Sequence, residues 1–378
     1  MKIAVYAICL NEEKFAERFV ASASGADLIQ VADTGSTDRT VAILEGLAVE
    51  VRHIRIKPWR FDDARNAALA LLPDDIDVCV SLDLDTVLSD GWRAALEAAW
   101  TPGVNRAYYT EIWGRHPDGQ PRRFLNNRIH ARHGVRWKGP CHECVVCDRS
   151  EEKAVVIEGL TIEQFADPDK SRAQYLPLLE LAAKEAPHEP RQAHYYGREL
   201  YFHKRYRGAI AEFERYLALP NNPFVSERNG TLRLLAQCHE ALGEGVQALR
   251  WFQAAVNEAP HLRGAWIDLA WAHYQRQAWQ ACWEAAQKAI AIPSGSTEYG
   301  DESNAGVLPE DLACVCGWRL GHRRQALEFG RRALTLAPTV ERLAANVAKI
   351  ERELGQAPRG VASDQTEAGP KTSTLAPL

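Results

Sequence analysis

The first hundred residues alternate between short strand-like runs and helical stretches, and this alternation restricts the possible folds most. Apolar and β-branched residues dominate the strand-like runs, at residues 3–9, 28–32, 51–56 and 78–82. The stretches between them have helical patterns, at residues 12–24, 38–47, 63–72 and 90–100. Strands that alternate with helices in this way form a parallel sheet with helices on its faces. The sequence therefore predicts an α/β domain at the N-terminus.

Strand-like segments dominate from residue 105 to 163, including residues 107–113 and 154–162. Gly and Pro interrupt them repeatedly, which indicates a more irregular and mixed end of the same sheet. Near residue 165 the strand-like pattern gives way to a helical, Ala-rich pattern. We therefore predict that the α/β domain comprises residues 1–165.

An Ala-centred motif recurs in the helical, Ala-rich stretch from about residue 170 to 355. Its copies begin at Ala209, Ala248, Ala281 and Ala326, and a Pro follows each copy, at 220, 260, 293 and 338. This pattern resembles tetratricopeptide repeats, which have a period of about 34 residues, with insertions between copies. The resemblance predicts an all-α repeat domain over residues 170–355, and an unrelated helical bundle is the alternative. Residues 356–378 are rich in Gly, Pro, Ser, Thr and Ala and are predicted to be disordered.

The composition excludes several classes of protein. Of the 378 residues 46% are hydrophobic, which rules out a mainly disordered chain, and the net charge of −5 provides no global attraction to nucleic acid. No apolar run approaches the ~20 residues of a membrane span, and Glu12 and Glu13 come too early for a signal peptide. The nine scattered cysteines favour a reducing compartment. We expect a cytoplasmic protein without a membrane span.

Carboxylates follow three strands of the predicted parallel sheet. Asp83 and Asp85 follow the fourth strand-like run, Glu12 follows the first, and Asp33 ends the second. Ligands of open α/β sheets bind beyond the carboxyl ends of the strands, where these side chains are expected to meet. Asp83 and Asp85 are suited to sharing Mg²⁺ or Mn²⁺. The alternatives are a solvated carboxylate pair and, for Asp38, a helix-capping role.

Together these motifs resemble the family 2 glycosyltransferases of GT-A fold. The matching pieces are Asn11-Glu12, Asp33-Thr34-Gly35-Ser36-Thr37-Asp38, Arg65-Asn66 and Asp83-Leu84-Asp85, within residues 3–165. The resemblance implies a nucleotide-diphospho-sugar transferase with a nucleotide-sugar donor, a divalent metal (Mn²⁺ or Mg²⁺) and inversion at the anomeric carbon.

The resemblance also implies roles for individual residues. Asp33 corresponds to the uracil-binding carboxylate, which favours a UDP-sugar, and Glu12 borders the same nucleoside pocket. Asp83 faces the ribose or the metal, and Asp85 is the principal metal ligand. Arg65 either holds a diphosphate oxygen or braces the carboxylates of the sheet. Its structural alternative is an ion pair with Asp62 or Asp63 at a helix start.

A second cluster, Arg136-Trp137-Lys138-Gly139-Pro140-Cys141-His142-Glu143, resembles a stretch found in relatives that also carry helical repeats. By this resemblance His142 is a further metal ligand, and Glu143 is the catalytic base or binds acceptor hydroxyls. The family more often has an acidic pair here. Glu111 is therefore the second candidate for the base, and a loop ion pair is the structural alternative for His142 and Glu143.

Two further patterns allow a functional and a structural interpretation. Cys141, Cys144 and Cys147 have a spacing that suggests zinc or an iron–sulfur cluster, but a strand would point thiols three apart to opposite faces, which favours ordinary thiols. The basic stretch at residues 122–138 either meets an anionic ligand or is a solvated face.

The sequence is compatible with several classes of acceptor. Similarity to peptide S-glycosyltransferases favours a peptide Cys or Ser, and similarity to phage-type DNA-modifying enzymes favours hydroxymethylated DNA bases. A saccharide or a lipid-linked acceptor is the third option. The repeats are expected to bind the acceptor or to form a homo-oligomer. A non-catalytic nucleotide-binding scaffold and a nucleotidyltransferase are the alternative functions.

Overall fold

The computed structural model describes residues 1–115, 121–148, 151–167, 170–220, 222–293, 306–356 and 375. These residues form two compact units. The first contains the described parts of Met1–Gly114, Pro121–Arg205 and Glu214–Leu219, and the second contains those of Tyr206–Phe213 and Pro220–Leu378. The tail predicted to be disordered, residues 356–378, lies outside the described residues except at 356 and 375. No helix in the described part of the chain is long and apolar enough to span a bilayer.

An eight-stranded mixed sheet is the centre of the first unit, in the spatial order β3-β2-β1-β4-β7-β6-β10-β5. Strands β3, β2, β1 and β4 are parallel, as predicted. Strand β7 is antiparallel to β4, whereas β10 runs parallel to β6 and antiparallel to β5, so the predicted mixed end is confirmed. The strands of this unit are β1 (Ile3–Cys9), β2 (Leu28–Asp33), β3 (Glu50–His53), β4 (Val78–Leu82), β5 (Thr86–Leu88), β6 (Arg106–Arg115), β7 (Pro121–Ala131), β8 (Val135–Lys138), β9 (Cys144–Cys147) and β10 (Ala154–Gln164), of which β8 and β9 form a separate ribbon.

Strand β1 is buried along its whole length because helices cover both faces of the sheet. Val5 belongs to the same apolar cluster as Phe19, and the next residue, Tyr6, belongs to a second cluster with Ala68. Successive side chains of a strand point to opposite faces, so a strand between two helical layers is apolar throughout. The covering helices are α1 (Ala16–Ser22), α2 (Thr40–Gly46), α3 (Phe61–Ala70) and α4 (Trp92–Ala99).

The register of the parallel strands brings their carboxyl ends to one edge of the sheet. Cys9 at the end of β1 pairs with Asp33 at the end of β2, and Ala7 of β1 pairs with Leu82 at the end of β4. The segments that follow these strands therefore start side by side, as the sequence predicts. They carry Glu12, Asp33 and the pair Asp83 and Asp85.

Helices α5 (Tyr175–Glu185) and α6 (Pro190–Phe202) also belong to the first unit. Leu178 and Leu179 of α5 and Tyr195 of α6 pack in one apolar cluster with Cys141, which lies between β8 and β9. Trp59 and Phe61, at the start of α3, border the same cluster. These helices thereby support the loop that carries His142 and Glu143.

Helix pairs build the remaining C-terminal region, with α8 against α9, α10 against α11 and α12 against α13. Helices α7, α9, α11 and α13 each end two residues before one of the four recurring prolines, because a residue before Pro disfavours helical geometry. Ala209, Ala248 and Ala326 are fully buried, and Cys314 and Cys316 also lie in the core. The helices are α7 (Tyr206–Ala218), α8 (Val225–Ala241), α9 (Gly245–Glu258), α10 (Arg263–Gln275), α11 (Trp279–Ala291), α12 (Leu308–Arg319), α13 (Arg323–Leu336) and α14 (Glu341–Gln356).

A buried chain of hydrogen bonds fixes the sheet on the face that bears α3. Trp137 Nε1 donates to the Tyr6 hydroxyl at 2.7 Å, and that hydroxyl lies 2.9 Å from His130 Nε2. His130 Nδ1 lies 2.8 Å from the carbonyl of Ala131, so it donates there while Nε2 accepts from Tyr6. This pattern needs a neutral imidazole, and burial lowers the pKa of His130 to about 4. The interpretation of residues 122–138 as a solvated face is therefore wrong at His130.

His130 should make the first unit less stable in acid. The pKa is lower in the folded chain than the usual 6.5, so the unfolded chain takes up the proton first as the pH falls. Between about pH 7 and pH 5 this difference should remove about 2 kcal/mol from the free energy of unfolding, as an upper estimate. Urea unfolding at both pH values should show a smaller loss for His130→Gln, which does not titrate. An equal loss in both proteins would contradict this assignment.

Candidate active site

Asp33 organises the turn that follows β2. Its carboxylate accepts hydrogen bonds from the amides of Gly35 at 3.1 Å and Ser36 at 3.0 Å, and His53 Nδ1 lies 3.3 Å away. Gly35 has a φ of +118°, which an L side chain rarely adopts. Burial alone would raise the pKa of Asp33, but the hydrogen bonds from Ser36, His53 and Gly35 outweigh it and the pKa lies below its usual value. Asp33 is therefore an ionised carboxylate in a fixed orientation.

The loops after β1 and β2 are joined by hydrogen bonds. Asn11 Oδ1 accepts from the amide of Thr37 at 2.8 Å, and the amide of Glu12 donates to Thr40 Oγ1 at 2.7 Å. Asp38 Oδ1 accepts from the amide of Thr40, the first residue of α2, at 2.9 Å, although Arg39 and not Asp38 is at the N-cap position of that helix. These bonds hold the Glu12 backbone beside the Asp33 turn.

Two arginines hold Asp83 at the end of β4. Arg65 Nη2 donates to Asp83 Oδ1 at 2.6 Å, and Arg128 Nη1 donates to Asp83 Oδ2. Burial acts against the charged form of Asp83, but the charges of Arg128 and Arg65 hold its pKa far below the usual range. The side chain of Arg65 is only 2% exposed and also donates from Nε to Glu143 Oε1.

Arg65 thus contacts the carboxylates of the site, which is one of the two functional roles expected for it. Its structural alternative, an ion pair with Asp62 or Asp63, is wrong. Asp62 is instead held by Arg60, at 2.9 Å, and by the amide of Gly139, also at 2.9 Å.

Asp85 and Glu12 each have a buried carboxylate oxygen without a hydrogen-bond partner among the described residues, namely Asp85 Oδ1 and Glu12 Oε2. The other oxygen of Asp85 accepts from Gln164 Nε2 at 3.2 Å, and the other oxygen of Glu12 pairs with Lys170 Nζ. Burial and the charge of Asp83 raise the pKa of Asp85 to about 6. Burial also raises the pKa of Glu12, with Asp85 and Asp83 adding to it against the effect of Lys170.

Unpaired buried carboxylate oxygens are costly, and a hard divalent cation is a partner that would satisfy them. The donor set of Asp85 and Glu12 therefore fits Mg²⁺ or Mn²⁺, with the remaining ligands supplied by water or a diphosphate. Within the described ranges, however, no three His, Cys, Asp or Glu side chains come together as a metal-binding group. Asp83, Asp85 and His142 thus do not form a three-residue ligand set in this geometry.

His142 lies between two tyrosines. Its ring stacks on Tyr195 with 4.4 Å between centroids and on Tyr175 with 5.9 Å. Its Nε2 lies 3.4 Å from Arg198 Nη2. Burial, with the charges of Arg198 and further arginines, lowers the pKa of His142 well below its usual value. The imidazole is neutral and tightly packed, and its loop reaches a φ of +50° at this residue.

The two candidate bases have different surroundings. The side chain of Glu143 is 7% exposed and accepts a hydrogen bond from Arg65, which also bonds Asp83. Glu111 lies on β6, where its Oε2 accepts from the Tyr109 hydroxyl at 3.3 Å and from Asn126 Nδ2. Burial raises the pKa of Glu111 although Arg128 and Asn126 oppose the shift. Arg128 therefore links the surroundings of Glu111 to those of Asp83.

The three cysteines of the C-x-x-C-x-x-C stretch lie in different surroundings. Cys141 is buried against α5 and α6, whereas Cys144 and Cys147 begin and end strand β9, and all three are free cysteines. Cys144 and Cys147 contact a main-chain carbonyl, a neutral amide and an arginine, for example at 3.7 Å from Cys147 Sγ to Asn105 Oδ1. This arrangement agrees with ordinary thiols.

Sequence reasoning missed three contributors to this site. Arg128 appeared only as part of a basic stretch, and Gln164 and Lys170 belong to no motif. The one available signal was the position of Arg128 on a strand that, in the mixed part of the sheet, pairs with β4. Lys170 and Gln164 follow or end β10, far from the motifs in sequence.

A model of the family described as glycosyl transferase family 2 matches residues 5–147. The N-terminal domain belongs to this family. It is accordingly a glycosyltransferase domain, and the predicted family resemblance is confirmed. No curated protein matches the chain.

The C-terminal helices of this chain are similar to solved tetratricopeptide repeat proteins. YrrB, described as a TPR protein with an unusual peptide-binding site, is 15% identical with a TM-score of 0.36, over 47% of this chain and 82% of its own. MamA is 21% identical with a TM-score of 0.34, over 42% of this chain and 79% of its own. PilF from Pseudomonas aeruginosa is 14% identical with a TM-score of 0.37, over 47% of this chain and 72% of its own. Likeness at this level concerns the helical fold alone.

Removal of the Arg65 guanidinium should destabilise the glycosyltransferase domain strongly. Arg65→Ala leaves Glu143 and one oxygen of Asp83 without their partner, which should lower the free energy of unfolding by about 3 kcal/mol or more. Arg65→Lys should give an intermediate loss, because one ammonium cannot replace a fork that bonds two carboxylates. Urea unfolding measures both.

Arg93→Ala is the matched control. Arg93 pairs with Asp27 and Glu97 but is 30% exposed, so its loss should cost less than about 1 kcal/mol. If Arg65→Ala lowered the free energy of unfolding no more than Arg93→Ala does, the buried ion pairs of Arg65 with Asp83 and Glu143 would not stabilise the domain.

Proposed function

We propose that this protein is a metal-dependent, inverting glycosyltransferase that uses a nucleotide sugar, with a UDP-sugar as the expected donor. The observation that carries this proposal is the unpartnered Asp85 Oδ1, buried beside the clamped Asp83 at the ends of the parallel strands. A family 2 domain supports glycosyl transfer, and the unsatisfied oxygen supports the metal. Mn²⁺ or Mg²⁺ bound there would neutralise charge on the departing diphosphate.

The donor pocket is proposed to lie over the Asp33 turn. Asp33 keeps a charged carboxylate in a fixed orientation, which suits it to accept a hydrogen bond from the N–H of a uracil ring. Glu12 borders the same pocket from the β1 loop, and Asp83 is proposed to face the ribose or the metal. Asp83 keeps its charge because Arg65 and Arg128 hold it.

The chemical step is a single displacement in this proposal. An acceptor oxygen or sulfur attacks the anomeric carbon on the face opposite the diphosphate, the bond from that carbon to the diphosphate oxygen breaks, and the base takes the acceptor proton. Glu143 is the proposed base because Arg65 fixes its carboxylate next to the site. Glu111 is the second candidate, favoured by the raised pKa that burial gives it. His142 is proposed as a further metal ligand only if its packing between Tyr175 and Tyr195 opens.

The acceptor is proposed to be macromolecular, either a peptide Cys or Ser or a hydroxymethylated DNA base. Stacked helix pairs present an extended surface, which suits a long acceptor or a second copy of the chain. A saccharide or lipid-linked acceptor and a non-catalytic nucleotide-binding scaffold are the alternatives. We also propose a cytoplasmic location. Mass spectrometry of peptides, modified DNA and oligosaccharides after incubation with a mixed pool of nucleotide sugars distinguishes these acceptors.

Asp85 should be essential for donor turnover. With Mn²⁺ and a pool of nucleotide sugars, Asp85→Asn should lower the release of nucleoside diphosphate about 100-fold or more, since it removes a charge that holds the metal. Asp90→Asn, an exposed carboxylate five residues further on, is the control and should stay within about twofold. Full turnover in Asp85→Asn would contradict the metal assignment.

The base should be distinguishable by two amide variants that keep the shape of the side chain. Glu143→Gln should reduce kcat for transfer about 100-fold or more, because an amide cannot take the proton. Glu111→Gln should reduce kcat much less while its Asn126 and Tyr109 partners remain in place. The opposite order of effects would move the base to Glu111.

A further inference from the structure

Lys170 brings an ammonium group to the carboxylates proposed to hold the metal. Its Nζ pairs with Glu12 Oε1, and the charges of Asp85 and Asp83 also act on it. Glu12 is 8% exposed, whereas the Lys170 side chain is 50% exposed. A half-exposed lysine therefore pairs with a buried carboxylate that has its second oxygen unsatisfied.

The local structure delivers Lys170 to this place. Strand β10 ends at Gln164, which bonds Asp85 Oδ2, and the next amide, of Phe165, donates to the Asp85 carbonyl at 2.7 Å. Asp167 is held in turn by Lys14 at 3.1 Å. The chain after β10 is thus tied to the Asp85 loop on one side and to the β1 loop on the other, and Lys170 follows these contacts directly.

We propose that the Lys170 ammonium is a built-in counter-ion that competes with the divalent cation for Glu12 and Asp85. This inference rests on the proposed metal site at Asp85. A cation at Asp85 Oδ1 and Glu12 Oε2 would lie close to the ammonium, and like charges that share a carboxylate repel each other. Metal binding is therefore favoured when the ammonium leaves Glu12.

The competition should raise the apparent Kd for bare metal by the reciprocal of the fraction of molecules in which the ammonium is away from Glu12. If Lys170 occupies Glu12 in about nine molecules of ten, the apparent Kd for the metal rises about tenfold. Removal of the ammonium should reverse this effect. A lysine that only supported the fold would give the opposite sign, because its loss would loosen the site.

The test is the affinity of the full chain for Mn²⁺ alone, measured by electron paramagnetic resonance of free Mn²⁺ without nucleotide. Lys170→Ala should bind Mn²⁺ about tenfold more tightly than the wild type. Lys170→Gln, a second neutral variant, should do the same, and Lys170→Arg should keep the weak binding. Far-UV circular dichroism checks that each variant is folded.

Arg39→Ala is the matched control, because it removes one exposed positive charge from the loop after β2 while the contacts that position Lys170 on Glu12 stay in place. Its Mn²⁺ affinity should change less than about twofold. An equal tightening in Arg39→Ala would reduce the effect to general charge and overturn the proposal, as would unchanged or weaker binding in both neutral Lys170 variants.

Asp85→Asn separates this inference from the proposed function. In one outcome the wild type binds Mn²⁺, Asp85→Asn abolishes this binding, and the neutral Lys170 variants bind Mn²⁺ no more tightly than the wild type. The metal site is then correct and only the competition by Lys170 is wrong. If neither the wild type nor the Lys170 variants bind Mn²⁺, both the metal site and the competition are wrong.

Discussion

The geometry of this site depends on one buried guanidinium. The Arg65 side chain is 2% exposed and bonds Asp83, directly after β4, and Glu143, in the loop between β8 and β9. The guanidinium also donates from Nη1 to Ser81 Oγ at 3.2 Å, and its carbon lies 5.0 Å from the centroid of the Trp137 ring. A buried charge of this kind is tolerated only when its hydrogen-bond partners are all in place. The two segments that carry the candidate ligand and the candidate base are therefore positioned by the same side chain.

The arginines also divide the neighbouring carboxylates into two kinds. Asp83, between Arg65 and Arg128, has a strongly lowered pKa, whereas Asp85, two residues further on, has a pKa raised to about 6 by burial and by Asp83 itself. Pairs of carboxylates whose surroundings separate their pKa values are typical of functional sites. Asp83 serves as a fixed negative charge, and Asp85 is the carboxylate that gains most from a cation. Lys170 provides a partial substitute for that cation.

Much of the fold was predictable because it follows from local patterns. Strands β1 and β4 begin and end where the sequence predicts, since apolar runs buried on both faces are easily distinguished from the polar turns after them. Helix α1 is shorter than the predicted 12–24 because Glu12 bonds Thr40 and is part of the joined loops instead. The parallel register alone brings four carboxylates to one edge of the sheet, namely those of Glu12, Asp33, Asp83 and Asp85. Partners distant in sequence were not predictable: Arg65 bonds Glu143 rather than nearby Asp62, and the tyrosines around His142 come from α5 and α6.

The central claim is that the strand-edge carboxylates hold a divalent cation together with a nucleoside diphosphate. Anomalous X-ray diffraction from crystals of the full chain grown with Mn²⁺ and UDP tests it most directly. We expect a manganese peak at roughly 2.0–2.3 Å from Asp85 Oδ1 and next to the diphosphate, with the uracil against Asp33. A manganese peak away from Asp85, or bound UDP that contacts neither Asp33 nor a metal at Asp85, would contradict it.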